Sequence, residues 1–106
     1  MLGELEQVVL LAVMRVGHDA YGVPIHDEIE RRAGRDLTLG TIYKTLGRLE
    51  KKGLVAAHVG EPTSQRGGRR TRCYVVSAAG KQALQATFKS LRRMAKGLDV
   101  GLEPSR

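Results

Sequence analysis

Leu39, Ile42, Leu46 and Leu49 recur at steps of three, four and three residues, the spacing that stacks side chains into one stripe of an α-helix. Thr41, Lys44, Thr45 and Arg48 fall between them, on the opposite side. The stretch TLGTIYKTLGRLEKKG, residues 38–53, is therefore predicted to be an amphipathic helix with one face for burial and one small, cationic face. Thr38 is placed to cap its first turn, and Gly53 follows Lys51 and Lys52 where a left-handed residue ends a helix. Two readings of the polar face stand side by side. It is the solvated back of a core helix, or it is a surface for a DNA groove. In the second case the Thr and Gly residues allow close approach, Thr38, Thr41 and Thr45 meet base edges, and Lys44 and Arg48 reach guanine acceptors or phosphates.

The pattern continues on both sides. LGELEQVVLLAVMRV, residues 2–16, is apolar on nearly every face after Glu6 and Gln7, as in a helix that is buried all round. One stripe is expected to face the domain's own core and the other a second subunit. Gly17-His18-Asp19 stops it, with Asp19 available as a cap for the next helix. Tyr21-Gly22-Val23-Pro24 opens that second helix, which runs through IHDEIERR, with Pro24 tolerated in the first turn and Ile25 and Ile29 inward. Residues 33–37 turn into the Thr38 helix. Two helices joined by a turn, the second cationic, spell a helix-turn-helix.

After Gly53 the period changes. Residues 54–59 and 72–76 read as antiparallel strands, and GEPTSQRGGRRT between them reads as a loop made basic by Arg66, Arg69, Arg70 and Arg72. A charge run is by default a solvated face. Directly after a candidate recognition helix, it is also where a winged helix places a second DNA contact. Ser77 starts a last helix in which Leu84, Phe88, Leu91, Ala95 and Leu98 repeat at four, three, four and three, a heptad seam. This seam is expected to pack against another subunit together with Leu5, Val8, Val9, Leu11 and Ala12 of the first helix. The same residues are candidate walls for an effector, although plain dimer core is the simpler role. The fold class expected is mainly α with a β-hairpin: a winged helix-turn-helix over residues 1–76, a dimerisation helix over 77–98 and a flexible tail over 99–106.

Composition narrows the function. One domain of 106 residues with a formal net charge of +7 attracts polyanions. No apolar run approaches the roughly 20 residues that span a bilayer, so nucleic acid is expected rather than membrane, and a cytoplasmic location with it. Aromatic residues are only 4% of the chain, too few for a platform that stacks single-stranded bases; duplex DNA is the expected partner. The single cysteine, Cys73, excludes an intrachain disulfide and is expected to be a small hydrophobe on a strand. His18, His26 and His58 are scattered without a nucleophile or carboxylate at catalytic or zinc-site spacing, so no catalytic residue, metal ligand set or cofactor is expected. Two alternatives remain, a winged-helix protein-interaction module without DNA and a metal-responsive regulator using a loose cluster of His18, Asp19 and His26.

The combination TIYKTLGRLEKKGLV followed by GGRRTRCYVVSAAGKQAL, with LGELEQVVLLAV and YGVPIHDEI before it, resembles the PadR family of bacterial transcriptional regulators from Leu2 to about Leu98. The resemblance implies a winged helix-turn-helix homodimer on a pseudo-palindromic operator, usually a repressor, released by a small molecule or another signal. It also implies that Tyr43 matches the family's recognition-helix tyrosine, Lys44 and Arg48 neighbouring polar contacts, and the arginines before Tyr74 the wing. Two departures are visible. Cys73-Tyr74 stands where the family often has two aromatics, and the single C-terminal helix resembles the family's short branch.

Overall fold

In the computed structural model, residues 2–60 and 71–99 are described. Helix α1 spans Glu4–Val16 and ends in a 3-10 turn, Gly17–Asp19; α2 spans Gly22–Ala33 and α3 Leu39–Lys51. Strands β1, Val55–Val59, and β2, Arg72–Val76, pair antiparallel, and α4 spans Ala78–Ala95. The architecture is mainly helical with one two-stranded hairpin, the fold class expected from the sequence.

The ends of the elements follow from local chemistry. The Thr38 hydroxyl accepts from the Thr41 N–H at 3.0 Å and caps α3. Gly34 and Gly53 adopt left-handed backbone, φ +64° and +73°, and terminate α2 and α3, a conformation that costs other residues about 1 kcal/mol or more. Asp19 does not cap α2 as expected: the N-cap is Tyr21, without a side-chain cap bond, and it is the Asp19 carbonyl that accepts from the Tyr21 N–H. Strand β1 begins one residue later than expected because Leu54 is already committed. Its N–H donates to the Leu49 carbonyl, and its own carbonyl accepts from the Ser77 N–H.

Those bonds join α3, the hairpin and α4 into one unit. Ser77 donates its hydroxyl to the Gly53 carbonyl at 2.7 Å and accepts from the Gly80 N–H, so one side chain caps α4 and fixes it to the end of α3. At Gly80 the contact is close enough that an added Cβ would lie 2.3 Å from the Leu54 carbonyl oxygen. On the other side of the hairpin, the Tyr74 N–H donates to the Ala20 carbonyl at 2.9 Å and ties β2 to the loop between α1 and α2.

Helix α1 packs on α2, α3 and β2, and the core gathers Val9, Leu10, Val13, Ile25, Ile29, Ile42, Leu46, Leu49, Val55, Tyr74, Val76 and Leu84. Two expectations about inward and outward faces are corrected here. Leu39 is not in the buried stripe: it is 41% exposed, because it opens α3 one turn ahead of the contact with α1 and α2. Val9, Ala12 and Leu84, expected at a subunit boundary, are at most 4% exposed within one chain and so are spent on the subunit's own core. The first half of α4 is part of that core, with Leu84 and Thr87 buried. Its second half presents Leu91, Met94 and, just past its end, Leu98 to solvent.

Glu6, the one acidic residue buried among the described residues, accounts for its own position. Its carboxylate accepts from the Gly3 N–H at 3.0 Å and from the Lys52 ammonium at 2.6 Å, linking the start of α1 to the end of α3. The Lys52 hydrogen bond, then that from Gly3, holds the Glu6 carboxyl below its usual range. A depressed folded value makes this a stabilising contribution present above about pH 4.5, the ordinary value, and lost as pH falls through the folded value. Glu6→Gln is expected to lower stability by about 1.5–3 kcal/mol at pH 7, the range for a charge-assisted hydrogen bond. The gap from the parent chain should close in urea melts taken progressively below pH 4.5; a constant gap would assign the loss to packing instead.

Candidate nucleic-acid interface

Burial of Ile42, Leu46 and Leu49 fixes the rotation of α3, and with it the face left outside. Gly40, Tyr43, Lys44, Gly47, Arg48 and Lys51 are exposed and Thr41 is half-buried. Gly40, Lys44, Gly47 and Lys51 succeed one another at steps of four, three and four and lie in one line. Neither glycine has an internal reason to lack a side chain. An added Cβ at Gly47 would meet nothing within 4 Å, and at Gly40 only the Thr38 hydroxyl oxygen at 3.9 Å. Gly40 was expected to allow close approach, whereas Gly47 and Lys51 were not singled out from the sequence; their spacing along the face opposite the apolar stripe was the signal.

The sequence-predicted residues divide. Lys44 and Arg48 stand exposed on this face, and among the described residues neither they nor Lys51 has a carboxylate within ion-pair distance. Arg31, Arg32, Arg35 and Lys52 are by contrast engaged, by Glu28, Glu28, Glu4 and Glu6. Thr38 and Thr41 share a hydroxyl bond of 3.0 Å, donated by Thr38, which leaves the Thr41 proton for an outside acceptor. Thr45 is a correction. It is 1% exposed, and its hydroxyl donates to the Thr41 carbonyl one turn back, at 2.9 Å. With its methyl in the core and its only polar atom satisfied by its own helix, it is not on the outer face.

Tyr43 sits on the boundary. Its ring is 42% exposed and lies over the bare Cα of Gly22, where an added Cβ would come within 2.3 Å of the hydroxyl oxygen. Gly22 opens α2, so this aromatic residue braces the two helices of the motif against each other as well as facing outward. Arg72 starts β2 with its guanidinium bonded to Glu50 at 2.7 Å and 5.9 Å from the centre of the Tyr74 ring. The Glu50 hydrogen bond raises its pKa further and offsets part of its charge. Arg66, Arg69 and Arg70 lie outside the described residues. Of the interface candidates, Leu5 and Val8 are half-buried on α1, Leu11 is exposed there, Phe88 packs against the core, and Ala95 is half-buried at the end of α4.

A helix pair whose second member carries an outward cationic face, followed directly by a two-stranded hairpin and packed by a further helix, defines a winged helix-turn-helix protein. Residues 10–86 match the transcriptional regulator PadR-like family, and the chain belongs to it. Members of this family are transcriptional regulators rather than enzymes. The chain is 28% identical over 103 residues to the uncharacterised protein X of Lysinibacillus sphaericus, covering 95% of this chain and 90% of that one. Its fold is similar to a PadR family transcription regulator from Clostridium difficile, with TM-score 0.71, 26% identity, and coverage of 89% of this chain and 93% of that one. It is also similar to a structure from Streptococcus mutans, with TM-score 0.68, 27% identity, and coverage of 96% and 92%.

The position of Thr45 leads to a sharp expectation. Thr45→Val keeps the shape and removes a hydroxyl that reaches only the chain's own backbone. It should shift stability by no more than about 1 kcal/mol and leave affinity for the chain's own upstream DNA unchanged, as measured by fluorescence anisotropy beside urea unfolding. A loss of affinity without a loss of stability would return Thr45 to the set of base-reading residues.

Proposed function

We propose that the protein is a homodimeric, sequence-specific repressor that inserts the face of α3 into the major groove of a pseudo-palindromic operator, in the cytosol, and is released by a small molecule or another signal. The observation that carries this reading is the line of Gly40, Lys44, Gly47 and Lys51. Glycine is unfavourable within a helix, and here it leaves the α3 backbone bare beside cations that have no carboxylate partner among the described residues, on a surface that fits the close approach of a phosphate-walled groove. Thr41, with Thr38 at the cap, meets bases, Lys44 and Arg48 meet nearby phosphates, and Tyr43 lies at the rim. Lys51 follows the DNA strand, and the wing arginines Arg66, Arg69, Arg70 and Arg72 grip backbone beside the groove. For Arg72 this entails sharing or leaving Glu50.

Leu91, Met94 and Leu98 at the end of α4, and Leu11 and Met14 of α1, are exposed apolar side chains of the kind that association buries. Through them a second copy brings another α3 to a half-site about one helical turn, ~34–36 Å, away. An effector lodged between α1 and α4 releases DNA if it binds more tightly to a dimer in which that spacing is wrong.

Position 47 tests the groove directly. Gly47→Ala should raise stability by about 1 kcal/mol, and Gly47→Leu should fold normally yet lose affinity for the upstream DNA at every salt concentration. Lys44→Ala should weaken all duplexes alike and flatten the salt dependence by about one unit of slope. Undiminished binding by Gly47→Leu would remove α3 from the groove. The dimer has its own check: Leu91→Glu with Met94→Glu should sediment as a folded monomer with weakened operator binding, whereas an unchanged dimer would place the subunit contact elsewhere.

A further inference from the structure

Helix α2 and the turn that follows it carry a group of side chains outside the proposed DNA-reading set. His26 and Glu30 stand one turn apart on α2, and Asp36 lies two residues before the Thr38 cap. One ligand atom from each of these three residues lies within 4.8 Å of the others. The His26 Nε2 atom is 3.8 Å from the Asp36 carboxylate. A Zn(II)-type ion holds nitrogen and oxygen at about 2.0–2.2 Å, so two of its ligands stand roughly 3–4 Å apart, and small rotations of exposed Glu30 and Asp36 would close the set. The other imidazole nitrogen, Nδ1, is 3.0 Å from the Asp27 carboxylate. Protonated there, the ring presents Nε2 as a free electron pair on the side of Glu30 and Asp36, the outer-sphere arrangement that orients metal-binding histidines. His18 and Asp19, which only the metal-responsive alternative grouped with His26, are not in this group; they lie in the 3-10 turn before α2, while Glu30 and Asp36 follow His26 in the chain.

We propose that His26, Glu30 and Asp36 form a site for one divalent first-row transition ion of the zinc class, with Asp27 orienting the histidine. An imidazole nitrogen with two carboxylates selects such an ion over magnesium or calcium, which take oxygen donors. Water completes the coordination, so the ion exchanges with solution. Because Asp36 belongs to the turn and the other two ligands to α2, the bound ion cross-links the helix to the segment that aims α3. Binding of the ion stands apart from the DNA reading and is tested without DNA.

The full chain, stripped of metal with a chelator and dialysed, is titrated with zinc chloride by calorimetry and in competition with a chromophoric chelator. Magnesium chloride serves as the control ion. One zinc per chain is expected, with thermal unfolding moving upward as zinc is added and no response to magnesium. Asp36→Asn and Glu30→Gln, both at exposed positions, should keep native circular dichroism and each weaken zinc at least about tenfold, with Asp27→Asn weakening it by about as much through the ring. Nitrogen NMR of the imidazoles should show His26 bound through Nε2. Unchanged zinc affinity in Asp36→Asn and Glu30→Gln, coordination by His18 or His58 in the NMR spectrum, or no saturable binding below millimolar zinc would each overturn the site.

Discussion

The rotational setting of α3 is the constraint on which the other features depend. Ile42, Leu46 and Leu49 are fully buried, and each contributes roughly 1.5–3 kcal/mol by leaving water. A cap such as Thr38 contributes about 1 kcal/mol, so the apolar stripe decides how the helix lies and the cap decides only where it begins. Once the stripe is down, Gly40, Lys44, Gly47 and Lys51 can point only outward. Thr45 adjoins the stripe, which is why a residue that looks polar in sequence ends inside with its hydroxyl turned back on Thr41.

A fixed α3 requires fixed neighbours, and these are held mainly by backbone groups. Ser77 bonds the Gly53 carbonyl, the Leu54 carbonyl receives the Ser77 N–H, and Tyr74 reaches the Ala20 carbonyl. Such bonds tolerate little displacement, and the close approach at Gly80 makes the same point sterically. The hairpin and α4 are thereby coupled to the end of α3, while Glu6 and Lys52 couple it to the start of α1. A displacement of the apolar half of α4 has a direct mechanical route to α3 through these joints.

The elements that were legible from sequence are those whose signal is local. The stripe of α3, the Thr38 cap, the Gly53 stop, the Pro24 start of α2 and the strands on either side of the basic loop all depend on residues within a turn or two of one another. Apart from the expected Asp19 cap, a local misreading, the errors came where a position's environment is decided by a distant segment. Val9, Ala12 and Leu84 share their pattern with Leu11 and Leu91, and no periodicity distinguishes an inner contact within one chain from one between two chains. The pairing of Lys52 with Glu6 and of Arg72 with Glu50 spans 46 and 22 residues, so each cation looked available in sequence and is engaged in the fold. Arg66, Arg69 and Arg70 lie outside the described residues, and their place in the interface is argued from charge and from the hairpin that carries them.

The charges outside the core are consistent with a division of labour between helices. Arg31, Arg32, Arg35 and Lys52 are engaged by carboxylates, and exposed ion pairs of this kind add at most about 1 kcal/mol each. Their larger consequence is electrostatic: Arg31, Arg32, Arg35 and Lys52, once paired, add little to the long-range field, whereas Lys44, Arg48 and Lys51 keep theirs. Exposed Arg15 of α1, Lys81, Lys89, Arg92 and Arg93 of α4 and Lys96 just after it are likewise without an ion pair among the described residues, so the attraction of a polyanion draws on α1 and α4 as well as on the outer face of α3. The same pairing economy leaves His26, Glu30 and Asp36 without a lysine or arginine at ion-pair distance among the described residues. Two carboxylates kept beside an imidazole at the turn before a cationic helix repel one another unless a cation joins them, and that repulsion is what a bound divalent ion would relieve.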